Sequence, residues 1–96
     1  MIIEYLRYTI DEKRQSAFIN DYKTASKPLQ SSPYCEQYEF CQCVEDPSKF
    51  IIRIQWTSAE DHLQKFRGSD EFKEFFPHIK PYLDDIDEMR HYDLKT

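Results

Sequence analysis

From Ile2 to Ile10 the chain alternates, with Ile2, Leu6, Tyr8 and Ile10 to one side and Ile3, Tyr5, Arg7 and Thr9 to the other. A period of two in β-branched and aromatic residues predicts a strand. Both sides carry apolar groups, so helices should cover one face and another layer the other. After Asp11, a candidate cap, Phe18, Tyr22, Ala25 and Leu29 follow at spacings of 4, 3 and 4. That is one stripe of a helix, expected to end near Pro28. Ser31-Ser32-Pro33 interrupts the pattern before Cys35 to Val44, where Tyr38, Phe40 and Val44 oppose Gln37, Glu39, Cys41 and Cys43. Turn residues from Glu45 to Lys49 lead into Phe50 to Thr57, with Phe50, Ile52, Ile54 and Trp56 on one face. The two runs therefore read as a hairpin.

Ser58 with Asp61 three residues later resembles a capping box, and His62, Leu63 and Phe66 sit at helical spacing before Gly68, predicting a short helix. Ser69 caps again, and Phe72, Phe75, Phe76, Ile79 and Leu83 form an amphipathic segment broken or kinked near Pro77 and Pro81. Alternation returns from Ile86 to Tyr92, with Met89 and His91 opposing Ile86, Glu88, Arg90 and Tyr92, a fourth strand. The order strand, helix, strand, strand, broken helix, strand is that of an α+β, ferredoxin-like split βαβ with a four-stranded antiparallel sheet. Helices on one face leave the other, partly apolar, for a second copy, so a homodimer is expected.

Ninety-six residues with 16% aromatics fit a single folded domain over residues 1–96. A net charge of -5 argues against a phosphate-neutralising surface, so neither nucleic acid nor an anionic membrane is the expected partner. No window approaches the roughly 18 apolar residues of a membrane span, and Glu4 and Arg7 interrupt any leader-like start. Three cysteines are too few for a disulfide scaffold and point to a reducing cytoplasm. Cys41-Gln42-Cys43 has no partners at zinc-finger spacing, and Gly68 is the single glycine. Neither a metal site nor a nucleotide-cradling loop is therefore expected. Arg7 and Arg53 read as cross-strand scaffolding that pairs with Glu4, Glu36, Glu39 or Glu88.

Four stretches together resemble the antibiotic biosynthesis monooxygenase (ABM) family. They are the opening Ile2-Ile3-Glu4-Tyr5-Leu6-Arg7-Tyr8, the hairpin from Tyr38 to Trp56, the run Trp56-Thr57-Ser58-Ala59-Glu60-Asp61-His62-Leu63, and Phe66 to Phe72 with the closing Glu88 to Tyr92. The resemblance implies a dimeric α/β barrel with a pocket between sheet and helices in each subunit. It implies an oxidoreductase: a cofactor-independent monooxygenase that oxidises a small phenolic or quinol-type aromatic with dioxygen. The alternative is a non-catalytic, small-ligand-binding or accessory dimer of the same fold.

By the same resemblance Trp56 lines the pocket, its indole a flat wall with one N–H donor; ordinary core packing is the competing role. His62 falls about where phenol-oxidising relatives present a tyrosine, and would act as the base that takes the phenolic proton; a solvated histidine is its competitor. Phe66, Phe76, Tyr82 and Ile52 would contribute walls, and His78 is a second proton-transfer candidate. The family's haem-degrading branch has an Asn in strand one, a Trp on the later helix and an iron-binding His. This chain has none of the three at those places, the last two falling near Phe66 and Phe76.

Overall fold

The computed structural model describes residues Met1–Thr96. β1 (Ile2–Thr9) runs through a 3-10 turn (Glu12–Arg14) into α1 (Gln15–Ser31), followed by the hairpin of β2 (Cys35–Gln42) and β3 (Lys49–Trp56). A π-helical turn (Asp61–Phe66), α2 (Asp70–Ile79), a 3-10 segment (Lys80–Asp85) and β4 (Ile86–Asp93) complete the chain. The strands are antiparallel in the order β2-β3-β1-β4. This is the ferredoxin-like arrangement, with β3 lying between β1 and β2 and the helices on one face.

Leu6 and Tyr8 of β1 and the even-numbered residues of β3 enter a core of fifteen buried side chains, joined from the helices by Phe18, Tyr22, Ala25, Leu29, Phe75 and Ile79. Phe18 is its hub, with ring centroids 4.9 Å from Tyr8, 5.0 Å from Phe50 and 4.7 Å from Tyr82. Such edge-on and tilted aromatic pairs add to the energy of area burial.

Three details depart from the sequence pattern. First, α1 passes through Pro28 to Ser31. Proline's φ suits a helix, only one N–H is lost, and the fully buried Leu29 anchors the last turn. Second, β2 stops at Gln42, two residues before Val44, which is 89% exposed; Cys41 is exposed and all three cysteines are free. Third, Tyr8 pairs with Ile86 while Arg7 pairs with Glu88, so Asp87 is an extra residue in β4. A bulge resets the alternation, and Ile86 joins Met89 and His91 on the helix-covered face instead of opposing them.

The open face carries Ile3, Tyr5, Ile51, Arg53 and Tyr92. Arg53 and Glu39, register partners across β3 and β2, form a 3.0 Å ion pair there. Glu4 does not join that scaffolding, because its place in β1 turns it to the opposite, helix-covered face.

Candidate active site

Glu4 lies between Ile54 of β3 and His91 of β4 in the sheet register, and only 4% of it is exposed. A carboxylate there needs donors, since an unpaired buried charge is costly. Trp56, the last residue of β3, supplies one: its indole Nε1–H donates to Glu4 Oε1 at 3.0 Å. Beyond β3 the backbone N–H of Asp61 donates to Ser58 Oγ at 2.9 Å. The π-helical turn that starts there lays the His62 ring parallel to the Trp56 indole, with centroids 4.4 Å apart and planes 13° apart. Single-turn π segments recur at functional sites because they re-aim one side chain.

His62 is also 4% exposed. Its Nε2 lies 3.4 Å from Glu4 Oε1 and its Nδ1 2.8 Å from His91 Nε2. Indole, carboxylate and two imidazoles thus form one chain from the end of β3 to the half-buried His91. With His91 donating from Nε2–H, His62 accepts at Nδ1 and carries its own proton on Nε2, which faces Glu4 at ion-pair distance without hydrogen-bond geometry. Both ring nitrogens of His62 then face groups of the chain, and Glu4 Oε2 is the oxygen with no hydrogen bond from the chain.

Loss of hydration drives both partners toward neutrality. Burial pushes the Glu4 carboxyl up to about 7, against the Trp56 hydrogen bond and the positive charge of Arg67, which favour its anion. Burial, then the neighbouring His91 and Arg67, push His62 down to about 3, and burial and Arg67 lower His91 as well. The imidazoles are therefore neutral near pH 7, despite the adjacent carboxylate.

Above this cluster, between the sheet and α2, is a cavity of about 240 Å³ whose wall is largely hydrophobic. Glu4, Trp56 and His62 form its polar end, and Phe66, Phe72 and Phe76 are among its walls. Tyr8 also lines it, fully buried, and no partner meets hydrogen-bond geometry with the Tyr8 hydroxyl, the nearby Tyr22 included.

Of the residues singled out from the sequence, Trp56, His62, Phe66 and Phe76 meet at this cavity, while Ile52, Tyr82 and His78 lie outside its wall. Ile52 is in the packed core. Tyr82 packs on Phe18 and its hydroxyl donates to Asp21. His78 is half-buried; at 100° per residue it points away from the face of α2 that carries Phe72, Phe76 and Ile79. Glu4, Arg67, Met89 and His91 were not among the residues singled out. Glu4 had a legible signal, since it is the charged residue in the series Ile2, Leu6, Tyr8, Ile10.

The profile of the antibiotic biosynthesis monooxygenase family matches residues 1–77. The chain belongs to the ABM family. It is 25% identical over 75 residues to YczJ, an uncharacterized protein of Bacillus subtilis strain 168, covering 78% of this chain and 79% of YczJ. A conserved protein from Methanosarcina mazei Go1 superposes with a TM-score of 0.80 at 24% identity, over 98% of this chain and 92% of that one. SnoaB, a cofactor-independent oxygenase of Streptomyces nogalater, superposes with a TM-score of 0.79 at 11% identity, over 99% of this chain and 93% of SnoaB. At these identities the two solved structures show a shared fold and nothing more. No helix is long and apolar enough to cross a membrane.

Proposed function

We propose that this ABM-family chain is a monooxygenase that oxidises a small phenolic or quinol-type aromatic with dioxygen in the cavity beneath α2. The observation that carries the reading is an apolar, aromatic-walled cavity closed at one end by Trp56, His62 and Glu4. A flat aromatic body is held by the ring walls, and its phenolic O–H is directed to the polar end, where Glu4 Oε2 is the unengaged acceptor. His62 and Trp56 hold that carboxylate in place, and the proton taken from the substrate rests on Glu4, whose carboxyl burial pushes up to about 7.

Once deprotonated, the electron-rich ring supplies the electrons. One oxygen atom of dioxygen enters the substrate and turns a ring C–H or methylene carbon into a carbonyl. The other leaves as water with the two displaced hydrogens. Neither a metal nor an organic cofactor is required for that balance. The protein's share is placement, proton removal and exclusion of water. The open sheet face fits the homodimer of an α/β barrel, since no helix covers it within one chain and Tyr5, Ile51 and Tyr92 there stay partly or largely exposed.

The test is oxygen uptake by chelator-treated protein on a panel of hydroquinones and anthrones, beside Glu4→Gln and His62→Ala. Uptake above the spontaneous rate, falling about 100-fold in the variants as expected for loss of a positioned base, supports the reading. Absence of uptake across the panel overturns it. If those compounds still raise the melting temperature, the binding-module reading takes its place; it is favoured by the burial of His62 between Glu4 and His91, which leaves neither ring nitrogen free for a substrate proton.

A further inference from the structure

We infer that Glu4, His62 and His91 form a binding site for one divalent first-row transition-metal ion of the Zn²⁺, Co²⁺ and Fe²⁺ class. The inference goes beyond the oxygenase reading and does not rest on it. Three ligand-type side chains from three elements converge here. Glu4 and His91 are cross-strand partners on β1 and β4, and His62 descends from the π-helical turn above them. One donor atom from each lies within 4.8 Å of the other two. Around a metal with bonds of about 2.0–2.2 Å, neighbouring donors stand roughly 3.0–3.5 Å apart. His62 Nδ1 and His91 Nε2 are already 2.8 Å apart, while Glu4 Oε1 meets the other ring nitrogen, Nε2, at 3.4 Å, so a single ion requires the Glu4 carboxylate or the His62 ring to turn.

The donor set sets the class of ion. Two imidazoles and one carboxylate suit zinc, cobalt or ferrous iron and are poor ligands for calcium or magnesium, which take mostly oxygen. Three protein ligands on one side leave further positions open, and here they open onto the cavity that Glu4 and His62 line. An outer partner is also in place. The Trp56 N–H on Glu4 Oε1 orients the carboxylate as outer hydrogen bonds do in metal sites. Arg67 is the one cation on the cavity wall, and its positive charge repels the ion. Since the ion takes the carboxylate and imidazole that would otherwise remove a proton, the loaded protein is excluded from cofactor-free oxidation.

The experiment is a titration of chelator-treated full-length protein with Co²⁺, read by visible d–d absorption and by calorimetry. Glu4→Gln, His91→Ala, Trp56→Phe, Arg67→Gln and a triple Cys35/Cys41/Cys43→Ser variant are run in parallel, with circular dichroism to confirm folding. We expect one saturable Co²⁺ per chain, displaced by Zn²⁺. Affinity should fall by at least about 100-fold in Glu4→Gln and His91→Ala, and about 10- to 100-fold in Trp56→Phe. It should rise in Arg67→Gln and be unchanged in the cysteine variant. Glu4→Gln keeps the side chain's shape and its acceptor for Trp56, and His91 is half-buried on an edge strand, so folded variants are available. Absence of saturable binding at millimolar Co²⁺ overturns the inference, as does equal affinity in Glu4→Gln and His91→Ala, or binding that follows the cysteines. None of these readouts needs a substrate, so a failed oxygen-uptake assay leaves this one able to succeed or fail alone.

Discussion

At the scale of single residues, Trp56 shows why core and site are the same thing in a small domain. It is 1% exposed, donates to Glu4, stacks on His62 and tilts against Phe66 at 4.8 Å. Trp56→Ala should cost about 3–5 kcal/mol by urea unfolding, as large-to-small changes of buried aromatics do, and it strips Glu4 Oε1 of its indole donor. A second expectation concerns Cys35, whose thiol burial pushes from its ordinary 9.0 up to about 11. The unfolded thiol ionises first, so folding stability drains away as pH rises from about 9 to 11. Cys35→Ser should flatten that decline in a series of unfolding curves. At pH 8 mass spectrometry should find exposed Cys41 alkylated well before Cys35. Glu4 could be read from its position in the alternation, whereas the partners that make it matter could not.

At the scale of elements, the helical and strand stripes were legible because burial imposes its period directly on the chain. Phe18, Tyr22, Ala25 and Leu29 are all buried. The exceptions were local. One extra residue, Asp87, reverses the alternation within β4, and nothing in the composition of Ile86 to Tyr92 announces a bulge. Ser69 did announce itself: the backbone N–H of Phe72 donates to its Oγ at 3.2 Å, and the Ser69 hydroxyl donates to the Phe66 carbonyl at 2.6 Å. That cap starts α2 and so sets where Phe72, Phe75 and Phe76 stand over the sheet. Ser69→Ala should lower stability by about 1 kcal/mol, seen as a lower melting temperature, with any ligand of the cavity bound more weakly.

At the scale of the whole molecule, the sheet has one face sealed by helices and one without cover. Tyr5 and Tyr92 meet edge-on there at 6.1 Å, beside Ile3 and the Arg53–Glu39 pair. Light scattering at micromolar concentration should give about twice the 11.7 kDa chain mass, and Tyr5→Asp should bring it back to that of one chain. A wild-type value near one chain mass would remove the dimer from the proposal. A net charge of -5 is modest enough for such a pairing, and this face carries both signs of charge, with Arg7, Arg53 and Arg90 beside Glu39 and Glu88.

The sequence alone determined the order of elements, the faces that enter the core and the family, because periodicity, capping and turn chemistry act over a few neighbouring residues. The tertiary structure decided the site. Glu4, His62 and His91 are 58 and 29 residues apart along the chain, and they meet because the register of β1 with β4 and the wide turn after β3 bring their side chains together. The cavity is likewise a property of packing: α2 holds its aromatic stripe away from the sheet on the side of Trp56, while α1 packs Phe18 tightly onto Phe50. That distinction separates Phe66 and Phe76, which line the cavity, from Ile52 and Tyr82, which are as apolar but lie in filled space.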